Sequence, residues 1–135
     1  MTDQYQPVPP SPSPVPPPTS SGLSENSAGG LAYLTFIPAI IFLVMEPYNR
    51  SSFIKFHAWQ EILLTGLYVV WAIIRFMLIF IMPHVFGLGI LSFMIGMVVG
   101  LAFFILWLVA LIQAFNGKKF SIPVIGGIAE NMASK

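Results

Sequence analysis

Long apolar stretches, separated by short polar segments, dominate the chain after a polar beginning. Residues 29–45 and 88–115 carry no charged side chain, and residues 62–82 carry only Arg75. A helix of about twenty apolar residues crosses a hydrocarbon core of about 30 Å, and it satisfies its backbone hydrogen bonds without water. The pattern therefore predicts an all-α integral membrane protein with transmembrane helices at about 29–45, 62–82 and 88–115.

Helix boundaries can be placed from the residues between these stretches. Pro47 ends the first helix, because the residue before a proline disfavours helical geometry. Ser51 or Ser52 is a suitable N-cap for the second helix, so that FIKFHAWQE forms its interfacial start. Gly117 is a suitable stop for the third helix. Pro38 predicts a kink within the first helix.

The two ends of the chain differ from its middle. Residues 1–27 are polar and rich in proline and serine, which predicts a disordered tail, and residues 28–133 form the transmembrane domain. The segment after Gly117 is too short to cross a membrane and is interrupted by Pro123 and Gly126. We expect this C-terminal segment to lie at the membrane interface.

The polar residues of the second helix share one face. At 100° per residue, His57, Gln60, Glu61, Tyr68 and Arg75 fall within a narrow arc. Lipid cannot satisfy such groups, so the face is predicted to point into the bundle or into a wet crevice. The alternative is that the first three of these residues meet water, loop backbone or headgroups, and that the arginine extends toward the outer interface.

Small residues follow a stripe on the third helix. Ser92, Gly96 and Gly100 are spaced at intervals of four, a pattern that allows membrane helices to pack closely. We therefore expect a compact three-helix bundle with these residues at a helix contact.

Composition narrows the possible functions. Charged residues make up 8% of the chain, against about 25% in typical soluble proteins. The net charge of +1 favours no nucleic-acid partner, and the absence of cysteine excludes disulfides and thiol chemistry. No motif indicates catalytic, cofactor-binding or metal-binding residues. We expect a protein that is not an enzyme and that has no cofactor.

The positions of Lys and Arg predict an orientation. Arg50 and Lys55 lie between the first two helices, and Lys118, Lys119 and Lys135 follow the third, whereas the tail and the MPHVFG segment have none. Basic residues favour the cytoplasmic side. The N-terminus is therefore predicted outside and the C-terminus in the cytoplasm, in a cell membrane and most simply a bacterial plasma membrane.

Two short elements resemble a known family. The residues FHAWQE and the closing segment FNGKKFSIPVIGGIAE resemble small prokaryotic membrane proteins related to the Tic-twenty-like component of the chloroplast import translocon. The matching positions are Phe56, His57, Ala58 and Gln60 in the first element, and Pro123 and Gly126 in the second. The resemblance implies a scaffold or a partner site at the inner membrane face, and it implies no reaction.

The function expected from the sequence is that of a scaffold or translocon-like component. It would act in the lipid bilayer through protein partners or through self-association. The alternative is an oligomeric channel or transporter for ions or small solutes. In that case Arg75 and the stripe of His57, Gln60 and Tyr68 would lie on the pathway.

Overall fold

The computed structural model describes residues 22–81 and 86–135, all of which belong to helices or their connections. The elements in order are α1 (Glu25–Leu31), α2 (Phe36–Val44), a short 3-10 helix (Tyr48–Arg50), α3 (Ser52–Ile81), α4 (Phe86–Phe115) and α5 (Ile125–Ala133). The prediction of an all-α protein is confirmed for this part of the chain. Residues 1–21, which make up most of the predicted tail, lie outside the described residues, and α1 begins at Glu25, before the predicted domain boundary.

The helices α3 and α4 have 30 residues each, which corresponds to about 45 Å. Ser51 precedes α3, and its Oγ accepts the backbone N–H of Ile54 at 3.3 Å. At the end of α4, Gly117 has a φ of 72°, and the N–H groups of Gly117 and Lys118 bond to the carbonyls of Ala114 and Gln113. These bonds form the glycine-terminated C-cap that the sequence predicts.

Two helices among the described residues are long and apolar enough to cross a membrane, namely Ser52–Ile81 and the Gly89–Phe115 part of α4. The first predicted span is different, because residues 29–45 form no single helix. The chain breaks between α1 and α2, and Pro38 lies in the first turn of α2. The first-turn N–H groups have no intrahelical partner, so proline is tolerated there and marks a new helix instead of a kink.

The two short helices α1 and α2 form a hairpin, so that the chain after α2 lies beside the chain before α1. The backbone N–H of Leu23, before α1, donates to the Tyr48 hydroxyl, after α2, at 3.0 Å. With nine residues, α2 is about 14 Å long and cannot cross a bilayer. Its outer face is apolar and exposed, and the side chain of Val44 has an exposed fraction of 71%. Such a surface is typical of lipid contact, as in a re-entrant hairpin.

The protein core lies at one end of the molecule. α1, α2 and α5 surround residues 52–64 of α3, and we call these three helices the short-helix layer. Three clusters of buried side chains lie between this layer, α3 and the C-terminal part of α4, and they include Ala58, Tyr33 and Phe56 respectively. Beyond residue 65, the apolar side chains of α3 are largely exposed. The two candidate membrane helices, α3 and α4, therefore extend from a packed base that contains the short-helix layer.

Candidate functional site

The FHAWQ element of α3 (residues 56–60) contacts several helices of the short-helix layer. Phe56 is buried against Ala129 and Ala133 of α5. Ala58 is buried against Ala39 and other residues of the α2 side. Because consecutive residues of a helix point in different directions, a central helix can contact a different neighbour with each of them. The element therefore determines how several helices assemble.

Gln60 connects α3 to the segment after α4. The Gln60 side chain is fully buried. Its Nε2 donates to the Phe120 carbonyl at 2.9 Å, and its Oε1 accepts the Ile122 N–H at 3.2 Å. One backbone donor and one backbone acceptor define the orientation of this amide. The two elements that carry the family resemblance are thus joined by direct hydrogen bonds.

A buried polar chain continues from Gln60. Its Nε2 also donates to the Tyr33 hydroxyl at 2.7 Å, and that hydroxyl lies 3.1 Å from His57 Nδ1. The tyrosine oxygen already accepts a hydrogen bond from Gln60, so its own proton can be donated to Nδ1 in the tautomer that leaves Nδ1 unprotonated. Burial raises the pKa of Tyr33 above its ordinary value, so the hydroxyl remains a donor.

A side chain of α4 supplies a hydrogen bond to the backbone at the break between α1 and α2. The Trp107 indole N–H donates to the Tyr33 carbonyl at 2.7 Å, so a backbone group left free by the break has a partner inside the protein. Tyr33 and Trp107 were missed in the sequence, although a tyrosine and a tryptophan within apolar stretches are signals for buried hydrogen bonds.

The outer rim of the layer carries ion pairs. Lys119 Nζ lies 3.2 Å from Glu130 Oε1 and 5.4 Å from the centre of the Phe56 ring. Arg50 contacts Glu46 at 2.9 Å, with both side chains well exposed. Exposed pairs of this kind contribute about 0 to 1 kcal/mol each. They are consistent with a surface in contact with water and headgroups.

The second family element makes a tight turn into α5. A Cβ at Gly126 would lie 2.8 Å from Ser121 Cα, closer than side chains tolerate. Pro123 is exposed, and its carbonyl accepts the Ile125 N–H at 2.8 Å across Val124, whose φ is 68°. A three-residue turn of this hand is rare for a residue with a side chain. It brings α5 directly against α3.

Arg75 lies against α4. A Cβ at Gly96 would collide with the Arg75 guanidinium, so this glycine makes room for the arginine side chain. Arg75 Nε has no hydrogen-bond partner among the described residues. A Cβ at Gly100 would meet nothing within 4 Å, and Ser92 is partly exposed. Of the three small residues, Gly96 therefore lies at a close contact with α3, whereas Gly100 faces open space and Ser92 is partly exposed.

Glu61 also belongs to the polar face of α3. The Thr65 hydroxyl donates to its Oε1 at 2.8 Å, while its Oε2 has no partner among the described residues. With His57 and Gln60, it lies inside the protein and not in lipid. No group of three or more His, Cys, Asp or Glu side chains comes together in residues 22–81 and 86–135.

These features define a class of protein, namely a small helical membrane protein whose central buried amide is bonded to the backbone of other segments. The comparison with known families agrees. The chain belongs to the MamF/MmsF family, described as the magnetosome magnetite crystal formation protein family, whose model matches residues 24–129.

Curated relatives come from archaea. The UPF0132 membrane protein MJ1443 of Methanocaldococcus jannaschii is 43% identical over 114 residues, which cover 83% of this chain and 91% of the relative. A UPF0132 membrane protein of Archaeoglobus fulgidus is 40% identical over 110 residues, with coverages of 80% and 94%. No solved structure matches the chain. The protein is thus a member of a membrane-protein family, and the comparisons do not show a relationship to the Tic-twenty-like family.

Proposed function

We propose that this protein is a non-enzymatic scaffold of the cell membrane, whose short-helix layer binds protein partners or further copies of the chain. The observation that carries the proposal is the set of Gln60 hydrogen bonds to Phe120, Ile122 and Tyr33. Both ends of this buried amide are used to hold segments together, which is typical of a rigid structural base and not of a reactive group.

The basic residues support a cytoplasmic position for this base. All Lys and Arg residues except Arg75 belong to the loop before α3, the start of α3 or the segments after α4. By the positive-inside rule, the short-helix layer faces the cytoplasm. The N-terminal end of α1 lies in the same layer, which argues for a cytoplasmic and not an outside location of the chain around residue 22. The archaeal relatives give no support for a specifically bacterial membrane.

A translocon-like role is the more specific form of this proposal. The FHAWQE element lies in the part of α3 that the short-helix layer surrounds, and the second element ends in α5 of this layer, which would make the layer the partner surface. The family description names magnetite formation, and nothing in residues 22–81 and 86–135 adds a group of three or more metal-binding side chains to support it.

Site-specific photo-cross-linking in native membranes tests the scaffold. A photoreactive residue at Asn131, exposed on α5, should give discrete protein adducts, whereas one at Phe80, 74% exposed at the far end of α3, should give mainly lipid adducts. Equal lipid labelling at both positions, with no protein adduct at Asn131, would refute the scaffold.

The alternative is an oligomeric channel or transporter. It is favoured by Arg75, whose Nε lacks a partner within the described chain, since intramembrane charges often mark pathways. Two crossing helices cannot enclose a pore, so this function requires several copies. Ion or solute flux in proteoliposomes that is lost in Arg75→Leu would favour transport over the scaffold.

A further inference from the structure

A cavity of about 280 Å³ lies between α3 and α4, just beyond the short-helix layer. We call it the α3–α4 cavity. Its polar side is formed by Glu61 and Thr65, and its other walls are formed mainly by aromatic residues together with Leu64 and Gly100. Pockets that are mostly apolar, with a few placed polar groups, are typical of small-molecule sites.

Glu61 is the feature of this cavity that most needs a partner. Its side chain is only 3% exposed, and within the described residues its Oε2 accepts no hydrogen bond. No Lys or Arg in this part of the chain forms a salt bridge with it. A buried carboxylate is stabilised by a cation that also donates a hydrogen bond.

The aromatic walls favour the same kind of ligand. The ring centres of Tyr68 and Phe103 lie 5.5 Å apart, and those of Phe104 and Trp107 lie 5.8 Å apart. All four line the cavity that contains Glu61. Aromatic faces attract organic ammonium groups, and clusters of them recognise alkylated amines. Carboxylate and aromatic rings together select a cation with an apolar body.

We propose that the α3–α4 cavity binds a small organic ammonium compound, whose N–H group donates to Glu61 Oε2 while its apolar body contacts the aromatic walls. Glu61 lies nine residues after the start of α3 at Ser52, which corresponds to about 14 Å along the helix. An amphiphilic amine concentrated at the headgroups can reach this depth. The site goes beyond the scaffold role and does not depend on it.

Gly100 provides a way to close the cavity without disturbing its surroundings. A Cβ at Gly100 would meet nothing within 4 Å, and the same is true of Gly66 on the exposed surface of α3. Because Gly100 lines the cavity and Gly66 does not, Gly100→Leu should occupy part of the cavity, whereas Gly66→Leu adds the same side chain outside it. Glu61→Gln removes the charge and keeps an oxygen that can accept from Thr65.

The experiment is isothermal titration calorimetry on the full chain in dodecylmaltoside, a detergent with no charge and no ammonium group. Phenylbutylamine should show saturable one-site binding, and the uncharged phenylbutanol should bind about tenfold more weakly or not at all. Glu61→Gln should weaken amine binding by a similar factor. Gly100→Leu should abolish it, and Gly66→Leu should retain it.

Equal binding of the amine and the alcohol would overturn the proposal, as would the absence of saturable amine binding or unchanged affinity in Glu61→Gln. A copurified lipid that fills the cavity and excludes the amine would overturn it as well. The comparison of the two compounds needs only the unmodified protein, so it decides the question even if Glu61→Gln does not fold.

Discussion

Gln60 holds two backbone groups that follow it by 60 and 62 positions in the chain. A buried glutamine without partners would be destabilising, whereas this one satisfies both ends of its amide. The side chain therefore replaces the backbone pairing that the irregular segment 118–124 cannot provide for itself. A single residue determines where the end of the chain docks.

Replacing Gln60 by leucine should destabilise the protein by about 3 kcal/mol, because the Phe120 carbonyl and the Ile122 N–H lose their partner in a buried site. Thermal unfolding in detergent, followed by tryptophan fluorescence, measures the effect. Gln113→Leu on α4 is the matched control, since the described structure shows no side-chain hydrogen bond for Gln113. Equal losses of stability in both variants would contradict the assigned role.

The polar face of α3 was predictable from spacing alone, because His57, Gln60 and Glu61 share an arc of the helix. Their partners were not predictable. Tyr33 and the Ile122 backbone are distant in sequence, and hydrogen bonds between distant segments leave no local pattern. At this scale, the sequence indicates which residues need partners, and the fold determines which partners they find.

At the scale of elements, α5 depends on close approach to the segment before it. Gly126→Ala should destabilise the protein by about 2 kcal/mol, because the added Cβ would press on the Ser121 backbone. Gly127→Ala should be neutral or stabilising by up to about 1 kcal/mol, since a Cβ there meets nothing within 4 Å. Thermal unfolding of the two variants side by side tests this, and an equal response would contradict it.

Arg75 and Gly96 form one of the contacts between α3 and α4. Gly96→Leu should lower stability, because the new side chain competes with the Arg75 guanidinium for the same space. Arg75→Leu should leave membrane insertion intact, because a central arginine costs about 2.5 to 3.5 kcal/mol on the insertion scale.

A double-mutant cycle separates this contact from general helix packing. If the collision is with the arginine, Gly96→Leu should cost less in an Arg75→Ala background, with a coupling of about 1 kcal/mol. Independent effects of the two changes would assign the role of Gly96 to helix packing in general.

The short-helix hairpin shows where the sequence was misleading at the scale of elements. An uncharged stretch at 29–45 satisfies the length of a membrane span, and Pro38 was compatible with a kink. In the structure the stretch forms two short helices, and Trp107 supplies a donor to the Tyr33 carbonyl at the break between them. That donor comes from 74 positions further along the chain.

At the scale of the whole molecule, the hairpin places the chain before α1 and the C-terminal helix α5 at the same end of α3. The natural absence of cysteine makes single-cysteine labelling straightforward. Leu23→Cys and Lys135→Cys should react with an impermeant maleimide from the same side of the membrane. Labelling from opposite sides would show that residues 29–45 cross the bilayer.

A third position completes this topology test. Ile81→Cys, at the far end of α3, should not react from the side that labels Leu23→Cys. The alkylated protein should retain its thermal unfolding temperature, which shows that the labelled chain is folded. Reaction of all three positions from one side would contradict a membrane-crossing α3.

The sequence by itself determined that the protein lies in a membrane and that it is all-α. Long uncharged stretches can satisfy their backbone hydrogen bonds in lipid only as helices. The sequence also predicted Ser51 or Ser52 as the N-cap of α3 and Gly117 as the stop after α4, because both helix ends depend on local capping. Only the tertiary structure decided that the first apolar stretch turns back, and that Gln60 joins α3 to the chain after α4. Both outcomes depend on contacts between distant residues, which no local pattern contains.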